Sequence, residues 1–189
     1  FVPATLPAAL AAPAEVAPIL RGLVAEPIDA RDGVYRRMVF AFRTSPAILN
    51  FVDGAELARY GQSGTVTPDH VIRTKPKPLI VPAPEAGKLD GFKAATKAAL
   101  EAYARDYRAY YERNNARFGG KKKPLDPIPR LALVPGLGLF AMGASAKDAA
   151  VAGDLAECMV EVIAGAEAIG TFQPVGEADL FDVEYLSLI

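Results

Sequence analysis

An α/β domain with a mixed-order sheet, a hairpin and flanking helices is what this sequence predicts. Three observations carry that reading. Two short continuous apolar runs, Leu131 to Val134 and Leu137 to Met142, are separated by Pro135-Gly136, which suits two buried strands joined by a turn. Ser145 with Asp148 three places on has the spacing of a helix cap, and Gly170 stands where a helix would stop. Further helical and strand-like stretches precede this block, so helices lie before, between and after the strands. No internal repeat occurs, and nothing beyond the first residues is of low complexity.

In order along the chain, residues 1–14 are rich in Ala and Pro and read as a linker or arm. Glu15 to Val24 is a short helix with Val16, Ile19, Leu20 and Leu23 on one side. Asp32-Gly33 is a turn signal, and Val34 to Phe42 is the next strand. Ser45-Pro46 starts a helix that Asp53-Gly54 stops, and Ala55 to Tyr60 adds a further turn or two. The stretch 61–84 is irregular, with five prolines from Pro68 to Pro84, and Leu79-Ile80-Val81 in it suits an edge strand. Asp90 caps a long helix to about Phe118, with Phe92, Thr96, Ala99, Tyr103, Tyr107 and Tyr110 as its inner stripe. The loop Gly119-Gly120-Lys121-Lys122-Lys123 is expected to be exposed and solvated. In the hairpin, Gly138 marks a bulge or a place where another backbone comes close. Val151, Leu155, Cys158, Val162 and Ile169 are expected to form the inner face of the capped helix. The domain runs to about residue 175. Residues 176–189, with Leu180, Phe181, Val183, Tyr185, Leu186 and Leu188 among acids, form a tail that packs on it or leads into a neighbour.

Composition narrows the class. The chain has 189 residues, 51% of them hydrophobic, enough to bury a core. With 21 basic against 22 acidic residues the net charge is -1, so neither nucleic acid nor an anionic membrane is an expected partner. No apolar run reaches the ~20 residues that cross a bilayer. Cys158 is the single cysteine, which fits a reducing, cytoplasmic compartment, and its expected inner position makes it an inert core thiol. The start has neither an initiator Met nor a basic segment and reads as the middle of a longer chain.

Chemistry-bearing patterns are few. One His and one Cys cannot supply the usual His-rich zinc set, and no Gly-x-Ser-x-Gly elbow raises a serine. Gly136-Leu-Gly138 with Gly143 is spaced wrongly for a dinucleotide loop. The stretch Thr67-Pro-Asp69-His70-Val-Ile-Arg73-Thr-Lys75 holds the lone histidine. It is either a capped turn or a substrate-binding wall. In the second case Arg73 and Lys75 suit a phosphate or carboxylate, and His70 beside Asp69 moves protons near neutral pH. A His70 ring buried in an apolar niche would end that idea.

Thr67 to Lys75, Pro127 to Gly143 and the closing Glu177 to Tyr185 resemble the middle region of the bifunctional rhamnulose-1-phosphate aldolase/short-chain dehydrogenase proteins. In that family a class II aldolase (adducin-like) domain comes first and a Rossmann dehydrogenase last. The resemblance covers nearly the whole chain and implies part of an aldolase-like α/β domain, with the tail leading towards a dehydrogenase domain. It implies zinc for the aldolase part of the parent and NAD(P) for the dehydrogenase part. The residues here depart from both centres. Where the family carries Asn-His-Gly, this chain resembles it with Gly136 for asparagine and Leu137 for the zinc-binding histidine. The earlier His-x-His has no counterpart, and no Tyr-x-x-x-Lys occurs, so neither zinc nor NAD(P) is expected in this piece.

Three readings follow. The chain is a non-catalytic module that organises neighbouring domains of the same polypeptide or builds a homo-oligomer. Alternatively it lends His70, Asp69, Arg73 and Lys75 to a neighbour's active site. The third is a free-standing enzyme, which needs a deep pocket with convergent polar groups.

Overall fold

A computed structural model describes residues 1–29 and 31–186. Helix α1 (Pro13–Leu23) leads to a small hairpin, β1 (Glu26–Asp29) and β2 (Val34–Arg36), and then to β3 (Val39–Arg43). Short helices α2 (Pro46–Val52), α3 (Leu57–Tyr60) and α4 (His70–Thr74) precede β4 (Leu79–Ile80) and the long α5 (Leu89–Asn115). The chain closes with β5 (Leu131–Val134), β6 (Gly138–Gly143), α6 (Ala146–Ile169) and α7 (Glu177–Glu184).

The main sheet has the order β3-β6-β5-β4. β6 pairs antiparallel with both β3 and β5, while β4 joins β5 in parallel, so the sheet is mixed. Alternation along β5 and β6 divides the core in two. Leu131, Leu133, Leu139 and Ala141 face α2, α3 and α6, whereas Ala132, Val134, Phe140 and Met142 face α1 and the start of α5. Both strands are buried on both faces, which is why they read as unbroken apolar runs. The two serine caps form as their spacing predicts: Ser45 Oγ accepts from Ile48 N, and Ser145 Oγ from Asp148 N. Gly138 is a close approach, not a bulge. Its φ is +139°, and a Cβ there would lie 2.4 Å from the carbonyl oxygen of Arg43.

Several expectations need correction. Val34 to Phe42 is not one strand, because residues 37–38 leave the extended pairing. Met38 turns inward there, and its carbonyl accepts from Arg21 Nε at 3.1 Å. β2 belongs to the exposed small hairpin and β3 to the main sheet. Asp90 does not cap α5, which begins at Leu89 with Asp90 in its first turn. Lys122 is buried, not solvated: Nζ lies 4.9 Å from the centre of the Phe118 ring, and the backbone N–H donates to Asn115 Oδ1. The first residues do not hang free. Phe1 stacks on Tyr60 with centroids 4.0 Å apart, and backbone bonds tie Val2, Ala4, Ala9 and Ala11 to the domain.

Helix α6 is turned opposite to expectation. Its inward face is Ala149, Ala152, Gly153, Ala156, Met159, Val160 and Ile163. Small side chains let the helix lie close on the sheet, and at Gly153 they leave room for the Arg43 guanidinium. Met159, Val160 and Ile163 join the small side chains inside, and the expected stripe is left on the other side. Val162 is 45% exposed, Ile169 92%, and Cys158 is exposed, so it is not a core thiol. The tail does pack on the domain as far as residue 186. Phe181 of α7 and Tyr185 just past its end are fully buried against Tyr107, Tyr110 and Tyr111. Leu188 lies outside the described residues.

Candidate functional site

One surface of α5 combines space, charge and backbone strain. Tyr103, Tyr107 and Tyr110 recur there at helical spacing, and between them Ala99, Ala102 and Ala109 leave the surface hollow. Over this hollow stand the segments Gln62 to Gly64 and Pro76 to Ile80 together with Val175, Glu177 and Leu180. They enclose a cavity of about 540 Å³, open on one side. That size is in the range of small-molecule sites, about 300–1,000 Å³.

Behind its wall lies a buried polar network. Lys75, 4% exposed, places Nζ 3.9 Å from Glu184 Oε1 and 4.0 Å from the centre of the Tyr107 ring. Tyr107 OH donates to Glu184 Oε1 at 2.7 Å, and Tyr110 OH to Oε2 at 3.0 Å. Since the Tyr107 proton goes to the carboxylate, Tyr185 OH donates to Tyr107 at 2.8 Å and itself receives Leu125 N–H at 3.5 Å. Burial presses both members of the ion pair toward neutrality, Lys75 down to about 8 and Glu184 upward, while their attraction opposes it. Burial beside the carboxylate likewise pushes Tyr107 and Tyr110 well above the usual phenol range, and Tyr185 up to about 12. Lys75 also has φ 61° and ψ 173°, a conformation that side chains rarely adopt and that surrounding structure must enforce.

The four residues singled out in 69–75 do not converge. Asp69 is exposed, and Arg73 reaches across to Asp148 at 3.2 Å. His70 turns inward: it is 8% exposed, its Nδ1 lies 2.6 Å from Thr67 Oγ1, and its Nε2 is buried without a partner. Burial lowers its basicity and favours the neutral ring. Of the four, Lys75 alone belongs to the network behind the cavity. The segment is thus a short helix with His70, Val71 and Thr74 buried and Ile72 and Arg73 exposed, not one wall of polar groups. The residues that do gather, Tyr107, Tyr110, Glu184, Arg113 and Glu177, were not sought as a set. One signal was present: Glu184 falls on the same helical face as Leu180 and Phe181, and an acid in an apolar stripe wants a partner.

The hairpin turn does not fit a metal or a nucleotide. Leu137 offers no donor and packs beside the apolar cluster, and the N–H of Gly136 is taken by Asp53 Oδ1 at 2.6 Å. Among the described residues no three His, Cys, Asp or Glu side chains gather as a metal site. Among the same residues no helix is long and apolar enough to cross a membrane.

Comparison with known proteins agrees with this fold. Over 176 residues the chain is 28% identical to a protein of Bacillus subtilis (strain 168) named as the uncharacterized oxidoreductase YuxG. The match covers 93% of this chain but only 24% of that relative, so the chain spans about a quarter of its length. Residues 11–189, nearly the whole chain, match the family described as aldolase class II, second domain. The chain therefore belongs to that family, and its mixed sheet with flanking helices is consistent with an aldolase class II domain.

Proposed function

We propose that this domain is an aldolase-like module that organises its neighbours rather than forming a reaction centre of its own. The observation that carries this is the outward face of α6. Val151, Leu155, Cys158, Val162 and Ile169 share one side of a helix whose other side is already packed on the sheet. A helix apolar on both sides is normally covered on both. The setting we propose is a bifunctional sugar-phosphate aldolase/short-chain dehydrogenase of rhamnose-type sugar catabolism in the cytoplasm. Zinc and NAD(P) would belong there to neighbouring domains, and the α6 face would meet one of these or a second copy of the chain. Leu137, which offers no donor where the resembling aldolases carry a zinc-binding histidine, supports a scaffold without metal chemistry at this turn. The alternative, in which His70, Asp69, Arg73 and Lys75 serve a neighbour's substrate, has less support, since two of the four face inward and Arg73 is paired.

Cys158 sits on that face and is the single cysteine, so it reports on cover directly. In the 189-residue chain it should react readily with a thiol reagent. In a longer polypeptide carrying both neighbouring domains, labelling should slow by about tenfold or more, because a covered group reacts only when the interface opens. Equally fast labelling of the two would overturn the reading, whereas equally slow labelling would assign the cover to a second copy of the chain.

A further inference from the structure

We infer that the open edge of β3 is a strand-addition surface for a second copy of this chain, paired antiparallel about a two-fold axis at Ala41. The inference goes beyond the outward stripe of α6: Cys158 labelling reads that stripe, whereas amide exchange in β3 reads the sheet edge.

The two edges of the main sheet differ. β4 is two residues long, with Pro78 before it and Pro82 just beyond, which blunts that edge. β3, at the other edge, has five residues, Val-Phe-Ala-Phe-Arg, with neither proline nor lysine and with an unbroken register to β6. The small hairpin β1–β2 forms its own sheet and does not pair with it.

Which backbone groups face outward follows from the ladder. Met142 N–H donates to the carbonyl of Arg130, on the β5 side, at 2.8 Å. Alternate residues of a strand bond to opposite neighbours, so Leu139, Ala141 and Gly143 turn to β3. Their partners Arg43, Ala41 and Val39 are thereby used, and Phe40 and Phe42 direct N–H and C=O to the open side. Among the described residues these groups have no hydrogen-bond partner.

A second copy satisfies them in one register. With Ala41 opposite Ala41, Phe40 and the second copy's Phe42 exchange both backbone bonds, and the two-fold repeats the exchange. Sliding one copy matches them instead to Met38, whose carbonyl already accepts from Arg21, or to Thr44, beyond the end of the strand. Side chains agree with the symmetric register. Phe40 and Phe42, half-buried on the α1 face, tilt against Phe140 with centroids 5.9 and 5.0 Å away. Each then lies across from a phenylalanine of the other copy, while alanine meets alanine on the α6 face. Charge agrees too. At one end of β3 the Arg43 guanidinium is shared by Asp154 at 2.9 Å and Glu157 at 3.9 Å, two carboxylates to one cation. Just before the other end, Arg37 is exposed and forms no ion pair among the described residues. Antiparallel pairing brings the Arg37 end of one copy to the acidic end of the other.

Light scattering on the 189-residue chain at about 100 µM should give a dimer, with a dissociation constant of about 10 µM or tighter. In it the amides of Phe40 and Phe42 should exchange as slowly as those of Val39, Ala41 and Arg43. Phe42→Pro removes only an outward N–H and should weaken the dimer by about tenfold or more. If that variant does not fold, exchange in the unaltered chain decides. A monomer at that concentration overturns the inference, as does a dimer in which Phe40 and Phe42 exchange freely or one that a folded Phe42→Pro leaves unchanged. Protection of both amides in a longer polypeptide alone would give the edge to a neighbouring domain, and the inference falls.

Discussion

Lys75 holds a buried cation with one carboxylate 3.9 Å away and an aromatic ring beneath it, on a backbone held at positive φ. Removing the carboxylate's charge alone strands the ammonium. Glu184→Gln keeps an acceptor and a donor for the two tyrosines but leaves Lys75 unpaired, and should cost about 3 kcal/mol of stability. Adding Lys75→Met removes the stranded charge, so the double variant should return to within about 1 kcal/mol of the wild type. Urea denaturation of the four proteins checks this, and additive losses would mean the pair is not coupled. His70 predicts a pH dependence. Its folded basicity is lowered from 6.5 by burial, so below that pH the unfolded chain binds the proton first. Stability from this ring is then complete above 6.5 and is lost as the pH falls toward the folded value. The stability advantage of the wild type over His70→Phe should shrink between about pH 7 and pH 5, by at most about 1.4 kcal/mol per unit. A constant difference across that range would show that the ring is not kept neutral.

At the scale of elements, what was legible in the sequence depended on whether periodicity had one physical cause. β5, β6 and the Ser145 cap could be read because burial on both sides leaves unbroken apolar runs, and a cap needs one residue type at one place. α6 could be placed but not oriented. Val151, Leu155, Cys158, Val162 and Ile169 mark a clean stripe, yet the sheet takes the face where Ala149, Ala152, Gly153 and Ala156 lie with Met159, Val160 and Ile163, because close packing there rewards small side chains. Hydrophobicity alone ranks those two faces in the wrong order. The break between β2 and β3 was hidden for a related reason. Val34 and Tyr35 have strand propensity whether or not anything covers them, and here they are 46% and 49% exposed. The cavity could not be read at all, since it requires α5, α7 and the 61–64 segment to meet, and no local pattern encodes that meeting.

For the molecule as a whole, the question is where the folding unit ends. The sequence places a boundary near residue 175, with a tail beyond it, but the packing runs through α7. Leu180, Phe181 and Tyr185 are at most 4% exposed, and Glu184 supplies the partner of Lys75 and the acceptor for two tyrosines. Burying each large apolar side chain is worth about 1.5–3 kcal/mol, so the three together approach the net stability of an ordinary domain, about 5–15 kcal/mol. A chain ending at Gly176 would uncover them and leave the Lys75 cation without its carboxylate. We therefore expect the 1–176 chain to lose its cooperative thermal transition, or to melt at least about 15 °C below the 189-residue chain. Circular dichroism during heating distinguishes the outcomes. A sharp transition at an unchanged temperature would mean that α7 is an appendage. A broad or absent one would mean that the helix completes the same unit as the sheet and forms one wall of its cavity.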